Sequence, residues 1–566
     1  MGGLWRGGPA AASGVRRNGA TRRETAIRER RALLQNASMT RLHWPIALLL
    51  VICGPSFAQA APAESEALAA RFPDPAVTYR TPAFEPGREG FTSNAELRAL
   101  IQALATDPAN TSAVKLIDAG SSQAGVPLEA LLLSRPAQGA ARPRVLLVGQ
   151  QHGDEPAGSE ALLVIARELA QGSLAGLLDR IDVVILPRAN PDGAAAHRRA
   201  TASGIDANRD HLLLRTPEAQ AQAQLVREFN PVVVVDAHEF AALGRYVEKF
   251  GAAQRPDALI QYAMVANLPG LVTRASEEWF RQPLLQALKA QGLNSEWYYT
   301  TSSDVADRKL SMGGVQPDNG RNVNGLRNAV SFLIETRGAD LGRAHLLRRV
   351  HTHVIAITSI LQSTTARADD LQRLRRFVDA EVVAKACKGE AIIEAAATTS
   401  EYTLAMLDSQ TGSEKTINVT WDSSLALVPV LKRLRPCGYW LGADQTDAVL
   451  RLRGLGVQVK RVDEPGELRG EAYTETAREF GPRADVRGSI ADGGAAMRVK
   501  VALAPTLIDA VAGSFYVGLD QPLAHLVIAA LEPDTQNSFV TSRLIDSVSA
   551  VARVMRRPAL KTSAMP

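Results

Sequence analysis

Four largely apolar runs constrain the fold of this 566-residue chain most strongly. A strand buried on both faces reads as a continuous apolar run, whereas a strand with one wet face alternates. Each run is therefore expected to lie inside a sheet that helices cover on both sides. The runs are Val145–Val148, Val183–Leu186, Val232–Val235 and Val330–Ile334.

Stretches with helical spacing separate these runs. Ser93–Ala105 and Ser159–Leu169 each place apolar residues on one face, and Thr216–Phe229 ends at the stop signal Asn230–Pro231. Buried strands that alternate with helices predict an α/β domain. Polar residues cluster just beyond the strand ends, where ligands bind in open α/β sheets.

Residues 39–60 are typical of a signal peptide. Arg41 precedes the short apolar run Pro45–Cys53, and Phe57–Ala60 has the form of a small-x-small cleavage site. Because the run is too short to span a bilayer, we expect export and no stable membrane insertion after the signal is removed. Residues 1–38 are expected to be a disordered or mis-assigned start.

The formal net charge of +5 depends on this leader. Residues 1–60 contribute +7, which leaves −2 for residues 61–566, so the charge gives no reason to expect a nucleic-acid partner. Cys387 and Cys437 are the cysteines beyond the leader. An oxidising compartment would favour a disulfide between them.

The character of the sequence changes beyond residue 365. Ala368–Ala380 is a charged helical stretch, and the alternating segment Tyr402–Val419 predicts short strands. Gly438–Leu441, Thr446–Gly454 and Val457–Lys460 predict a strand, a helix and a strand. The expected organisation is an entry arm at 61–84, a catalytic domain at 85–365 and an accessory C-terminal α+β region at 366–566.

Two histidines and a glutamate follow two of the apolar runs. His152 and Glu155 come just after Val145–Val148, and His238 comes just after Val232–Val235. The ends of neighbouring strands can aim such side chains at one point. A His, Glu, His set is used by hydrolytic zinc sites, so these three residues are the candidate ligands of a zinc ion.

A zinc hydrolase also needs a base and fixed cations. Glu335 directly follows the run Val330–Ile334, and a carboxylate delivered there could serve as the base. Arginine forks suit carboxylates. Side chains able to hold an anionic group follow the turn Asn190–Gly193: Arg198, Arg199, Asn208 and Arg209.

Together these motifs resemble the zinc carboxypeptidases of the carboxypeptidase A type, over roughly residues 85–350. The motifs are His152-x-x-Glu155, Asn190–Gly193, Gly204–Asp210, Asp236-x-His238 and Leu333–Glu335. The resemblance implies a mixed eight-stranded sheet flanked by helices, and one zinc ion per chain.

The resemblance also implies roles at the metal. His152, Glu155 and His238 would bind zinc. Glu335 would act as general base on the water that the metal activates, and would then pass the proton to the leaving amine. Asp206 would accept a hydrogen bond from His152 and fix its tautomer.

Further roles concern the substrate. Arg199, with Arg198 as the fallback, would polarise the scissile carbonyl and stabilise the oxyanion. Asn208 and Arg209 would hold the free C-terminal carboxylate of the peptide.

Two departures from the family pattern fall in the substrate pocket. The mobile tyrosine of the family, expected a short way before the base, has no counterpart in Ser311–Gly320. Phe240, two places after the third ligand, has no hydroxyl. Tyr298, Arg321 or Asn322 would then have to grip the carboxylate, and the preferred terminal residue stays open.

The leading hypothesis is an exported zinc carboxypeptidase, periplasmic or secreted, that acts on peptides with a free C-terminal carboxylate. A murein-peptide carboxypeptidase or amidase remains an alternative, since the same residues would serve both and only the pocket would differ. A deacylase of N-acylated amino acids is a less favoured alternative, because the chain has the motif Asn190–Gly193. A further alternative is that the chain is not an enzyme but a zinc- or peptide-binding protein. Binding alone would not require Glu335.

Overall fold

A computed structural model describes residues 63–136, 141–490, 495–535 and 537–565. The predicted leader, both 1–38 and 39–60, lies outside the described residues. Within the described ranges, no helix is long and apolar enough to cross a membrane.

Strands and helices alternate in the first part of the chain, and long strands dominate the second. The strands are β1 (Ala113–Ser121), β2 (Pro127–Ser134), β3 (Arg144–Gly149), β4 (Asp182–Leu186), β5 (Val233–Phe240), β6 (Ala252–Gln254), β7 (Ala258–Tyr262), β8 (Ser295–Trp297), β9 (Tyr299–Thr301), β10 (Lys309–Met312), β11 (Val330–Arg337), β12 (Glu390–Asp408), β13 (Glu414–Leu434), β14 (Gly438–Leu441), β15 (Lys460–Val462), β16 (Gly466–Pro482), β17 (Ala484–Asp485), β18 (Gly488–Ser489), β19 (Ala495–Ala510), β20 (Phe515–Gly518), β21 (Val551–Val554) and β22 (Thr562–Ala564). The helices are α1 (Glu66–Ala69), α2 (Asn94–Thr106), α3 (Pro156–Gln171), α4 (Pro191–Ala195), α5 (Pro217–Phe229), α6 (Gly244–Phe250), α7 (Gly270–Ala275), α8 (Gln282–Ala290), α9 (Gly320–Leu326), α10 (Leu346–Ala366), α11 (Ala368–Ala384), α12 (Thr446–Gly454) and α13 (Ala524–Leu531).

The four apolar runs form the centre of a mixed eight-stranded sheet, which confirms the predicted fold class. The strand order is β1-β2-β4-β3-β5-β11-β7-β8. The middle strands β4, β3, β5 and β11 run parallel to one another. Their carboxyl ends therefore meet at one edge of the sheet. All residues of β5 and β11 are buried, which explains why their sequences do not alternate.

The two faces of the sheet belong to two apolar clusters. Val145 and Leu147 pack with residues of α3 on one face, whereas Leu146 and Val148 pack with residues of α5 on the other. Successive side chains of a strand point to opposite faces, so alternate residues of β3 pack against different helices.

The sequence sets the ends of the covering helices. Ser93 and Glu96 form a capping box at the start of α2. The Thr216 side chain caps α5, which ends at Asn230 in the left-handed conformation (φ 43°) before Pro231. The helix at Ser93–Ala105 was predicted from its apolar spacing, and the end of the second helix from Asn230–Pro231.

The C-terminal part differs from its prediction in two places. Tyr402–Val419 was expected to form short strands, but β12 and β13 are 19 and 21 residues long and form one hairpin. Alternation indicates one buried face and says nothing of strand length. The strand predicted at Val457–Lys460 lies further on, at Lys460–Val462. The strand at Gly438–Leu441 and the helix at Thr446–Gly454 are confirmed.

The hairpin of β12 and β13 joins strands from the first part of the chain. β13 pairs with β10 and β12 pairs with β6, in a five-stranded sheet. A second long hairpin, β16 and β19, belongs to a seven-stranded sheet and carries β17 and β18 between its strands. The expected disulfide between Cys387 and Cys437 is present. The division at 365/366 stays a prediction.

Candidate active site

Three candidate ligands converge at the carboxyl edge of the eight-stranded sheet. Nδ1 of His152 lies 2.7 Å from Glu155 Oε1 and 3.0 Å from Nδ1 of His238. Nδ1 of His238 lies 2.8 Å from Glu155 Oε2. All three side chains are buried. The structure therefore brings together the three residues that the sequence motifs pointed to.

Close loop packing holds His152 and Glu155 in this position. Glu155 is the residue before α3, and His152 lies in the turn after β3. Between them, Gly153 packs against the backbone of Gly193, where a Cβ would come within 1.9 Å of the Gly193 carbonyl carbon. Only a residue without a side chain allows this approach.

Carboxylates stand behind both histidines. Nε2 of His152 lies 3.2 Å from Asp206 Oδ1, and Nε2 of His238 lies 2.9 Å from Asp236 Oδ1. A carboxylate facing Nε2 favours the tautomer that carries its proton there and leaves a lone pair on Nδ1.

The chemistry of this donor set fits a zinc ion. Two imidazole lone pairs and a carboxylate point at one another, and a cation between them would satisfy all three. Three protein ligands also leave a fourth position for water or substrate. Burial alone would raise the pKa of the Glu155 carboxyl, but His152 and His238 hold it well below its usual range. Burial opposes protonation of His238, yet the carboxylates of Asp236 and Glu155 raise its pKa well above the ordinary value.

Glu335 lies next to the ligand set. It is buried in β11, directly opposite His238 of β5 in the parallel register. Burial, reinforced by the charge of Glu155, raises the pKa of Glu335 to about 7. Glu335 lines the same cavity as His152.

Of the two candidate arginines, Arg199 reaches the ligands. Its Nη1 lies 3.1 Å from Nδ1 of His152, and its Nε and Nη2 donate to Asp206 at 3.1 and 2.9 Å. Arg198 is exposed and donates to the carbonyl of Ala202. Asp206 therefore contacts both His152 and Arg199.

Asn208 and Arg209 also line the cavity. Nδ2 of Asn208 lies 3.1 Å from Nε2 of His238, and its Oδ1 accepts from the backbone N–H of Gly320 at 2.8 Å. Arg209 is paired with Asp485, with 2.7 Å between Nη2 and Oδ2. This partner was not predicted, since Asp485 lies in the C-terminal region that was expected to be accessory.

The cavity has a volume of about 290 Å³, and its walls come from both parts of the chain. Strands β12 and β13 contribute Ala397 and Asp422, and the segment 484–487 at the end of the β16 hairpin contributes Asp485 and Arg487. These wall residues were not predicted. The signal that could have found them is weak, because acidic residues in a polar hairpin are common.

The three proposed replacements for the missing tyrosine differ in position. Tyr298 and Arg321 line the cavity. Burial raises the pKa of Tyr298 to about 12. Asn322 is buried, and its side chain is held by the carbonyl oxygens of Gly314 and Gln316.

Comparison with known proteins gives one family. The family model for zinc carboxypeptidase matches residues 97–232, a range that includes His152, Glu155, Arg199, Asn208 and Arg209. "Carboxypeptidase 2" of Trichophyton rubrum is 29% identical over 410 residues, which cover 71% of this chain and 74% of that protein.

Two shorter or weaker likenesses accompany these matches. "Carboxypeptidase D" of Mus musculus is 48% identical over 58 residues, which cover 9% of this chain and 4% of that protein. A solved metallo-carboxypeptidase from Burkholderia cenocepacia is 18% identical, with a TM-score of 0.36 over 50% of this chain and 71% of that chain. The family match and the curated relatives therefore indicate a zinc carboxypeptidase domain in this chain, with residues 97–232 as the matched part.

Proposed function

We propose that this protein is a zinc-dependent carboxypeptidase that removes the C-terminal residue of peptides. The supporting observation is the convergence of His152, Glu155 and His238 beside the buried Glu335. Zinc held by the three ligands would polarise the scissile carbonyl and acidify a water molecule. A protein that only bound peptides would have no use for a base at this position.

Glu335 moves the proton. It takes a proton from the attacking water as the carbon–oxygen bond forms, and it gives that proton to the amine nitrogen as the carbon–nitrogen bond breaks. A carboxyl with a pKa of about 7 can accept and return a proton near neutral pH. Arg199 donates to the oxyanion, and Asp206 holds Arg199 and His152 in place.

Asn208 and Arg209 bind the free carboxylate of the substrate. Arg209 offers a planar fork of donors at the cavity wall, and such a fork suits a carboxylate. Its pair with Asp485 means that the substrate carboxylate must displace or share that partner. Recognition of a free carboxylate limits hydrolysis to the terminal bond.

The protein acts outside the cytoplasm in this proposal. Residues 39–60 would direct export, and peptides of the periplasm or of the medium would be the substrates.

The test is a Glu335→Gln variant, which keeps the shape of the side chain and removes the base. Wild-type protein with zinc should release C-terminal residues from unblocked peptides and stop when a chelator removes the metal. The variant should keep one zinc per chain and lose kcat by roughly 10²–10⁴-fold. Metal content is measured by atomic absorption and release by mass spectrometry, with murein peptides among the substrates.

Full turnover by the Glu335→Gln variant would remove Glu335 from the mechanism. A variant that had lost zinc would show only damage to the metal site, so the metal measurement is the control.

A further inference from the structure

One guanidinium in the active-site cavity has only neutral partners. Arg321 is 3% exposed and lies in α9. It donates from Nη1 to Gln261 Oε1 at 3.0 Å and from Nη2 to the Gly314 carbonyl at 3.1 Å. In the part of the chain that the structure describes, it has no ion pair with a carboxylate. Burial lowers the pKa of Arg321 to about 10, so the group still carries its charge at neutral pH.

The other arginines that line the cavity are already paired. Arg199 lies 2.9 Å from Asp206, and Arg209 and Arg487 lie 2.7 and 3.4 Å from Asp485. Each of these cations therefore has a carboxylate partner before a substrate enters, with Asp485 shared by Arg209 and Arg487.

The carboxylates of the cavity are paired as well. Asp318 lies 2.9 Å from Arg483, and Asp422 lies 3.3 Å from Lys309. The remaining carboxylate, Glu335, is the proposed general base and is not expected to bind a substrate side chain. A basic side chain would therefore meet carboxylates that already have partners, whereas an acidic side chain would meet the unpaired charge of Arg321.

The lack of a side chain at Gly313 leaves the Arg321 guanidinium accessible from the cavity. A Cβ on Gly313 would lie 2.7 and 2.9 Å from Nη1 and Nη2 of Arg321, and 2.4 Å from Gln261 Oε1. Gly313 and Arg321 both line the cavity. Because Gly313 has no side chain, the guanidinium can be approached from the substrate's side.

The position of Arg321 relative to the base suits a side chain of the substrate. Leu333 and Glu335 line the cavity from the same face of β11, about 6.8 Å apart along the strand. Gln261, which holds Arg321, is the register partner of Leu333. This end of the cavity is therefore about one side-chain length from the bond that Glu335 serves. Arg209, in contrast, donates to the carbonyl of Asn208, whose side chain contacts His238.

We propose that Arg321 determines specificity by binding the side-chain carboxylate of an acidic residue, Glu or Asp, at the C-terminus of the substrate. The inference rests on the proposed carboxypeptidase function and names its substrate class. A buried cation without a counter-ion is costly, and a bound carboxylate offsets part of that cost. An amide of the same shape leaves the cation unpaired, so the site discriminates between the two.

The test compares two peptides that differ only in ending with Glu or with Gln. Wild-type enzyme should have a kcat/KM about 10- to 100-fold higher for the Glu peptide, as expected for a charge-assisted hydrogen bond. An Arg321→Met variant, similar in length and uncharged, should lose this preference, so that its kcat/KM for the Glu peptide falls about 10- to 100-fold relative to that for the Gln peptide. An Arg321→Lys variant retains the charge and should retain part of the preference.

A second variant covers the case in which Arg321→Met does not fold. Gly313→Ala places a methyl group against the guanidinium and should lower kcat/KM for the Glu peptide more than for the Gln peptide. Bound zinc and circular dichroism verify that each variant is folded.

Three results would overturn the inference. Wild-type hydrolysis without a preference for Glu would overturn it and leave the proposed function standing. Equal losses on both peptides in Arg321→Met would mean that Arg321 holds the main-chain carboxylate instead. No release from any peptide by the zinc-loaded wild type would overturn the proposed function, and this inference with it.

Discussion

The Arg209–Asp485 pair shows how much a single contact can determine at the residue scale. Arg209 is the proposed clamp for the substrate's carboxylate, yet it already holds a carboxylate supplied by the chain itself. Both side chains are largely buried, so the attraction between them is less screened than at the surface. An incoming carboxylate has to compete with Asp485 for the same fork.

Replacing Asp485 should therefore strengthen substrate binding. In Asp485→Ala, KM for peptides with a free C-terminus is expected to fall about 5- to 10-fold with little change in kcat, because a competing partner worth roughly 1–1.5 kcal/mol is gone. Steady-state kinetics on free and C-terminally amidated forms of one peptide measure this effect, and the amidated form should not gain. A rise in KM would mean instead that Asp485 orients Arg209 for binding.

A site residue could be predicted from the sequence when a recognisable motif, such as an apolar strand run, lay directly beside it. His152, His238 and Glu335 each follow an apolar strand run, and parallel strands end at one edge, so their meeting could be inferred. Asp485 lies 276 positions from Arg209 and follows no such run. Its place at the site depends on the tertiary packing of a hairpin, which no short motif encodes.

At the scale of elements, the site depends on how closely two loops approach. The loop after β3 carries His152 and Glu155, and it rests on the turn at Asn190–Gly193, where the Asn190 amide donates to the Gln151 carbonyl. Gly153 is the point of closest contact. The candidate metal ligands His152 and Glu155 are therefore positioned by a second loop that contains no candidate ligand.

A methyl group at Gly153 should force these loops apart. Gly153→Ala is expected to lower the free energy of unfolding by about 1–3 kcal/mol and to weaken zinc binding, since overpacking shifts the backbone that carries two ligands. Denaturant unfolding and zinc titration measure both effects. Gly270→Ala is the matched control, because a Cβ there meets nothing within 4 Å. Normal zinc affinity in Gly153→Ala would show that the loop adapts.

Element type was easier to predict than element length. The runs at β3, β5 and β11 were recognised because strands buried on both faces cannot alternate. In β12 and β13 the alternation was seen, but the strands extend well beyond the predicted segment into exposed stretches such as Val428–Val430. Exposed strand residues have no burial pattern, so the sequence contains no mark of where these strands end.

At the scale of the whole molecule, the C-terminal part completes the cavity. β13 extends a sheet with β10, and β12 does so with β6. Through these pairings Ala397 and Asp422 reach the cavity wall, and the segment 484–487 reaches it from the other long hairpin. The region predicted to be accessory thus supplies part of the surface that a substrate would touch.

The disulfide between Cys387 and Cys437 should stabilise this C-terminal part. It links the segment after α11 to the residue before β14 across 50 positions, and closing such a loop restricts the unfolded chain. The double variant Cys387→Ser, Cys437→Ser is expected to have a free energy of unfolding about 2–4 kcal/mol below that of the oxidised wild type. Urea denaturation measures the difference, and wild type kept in reducing agent is the control, since it should match the variant. Equal stability of the oxidised wild type and the variant would mean that the folded chain, rather than the bond, holds the two segments together.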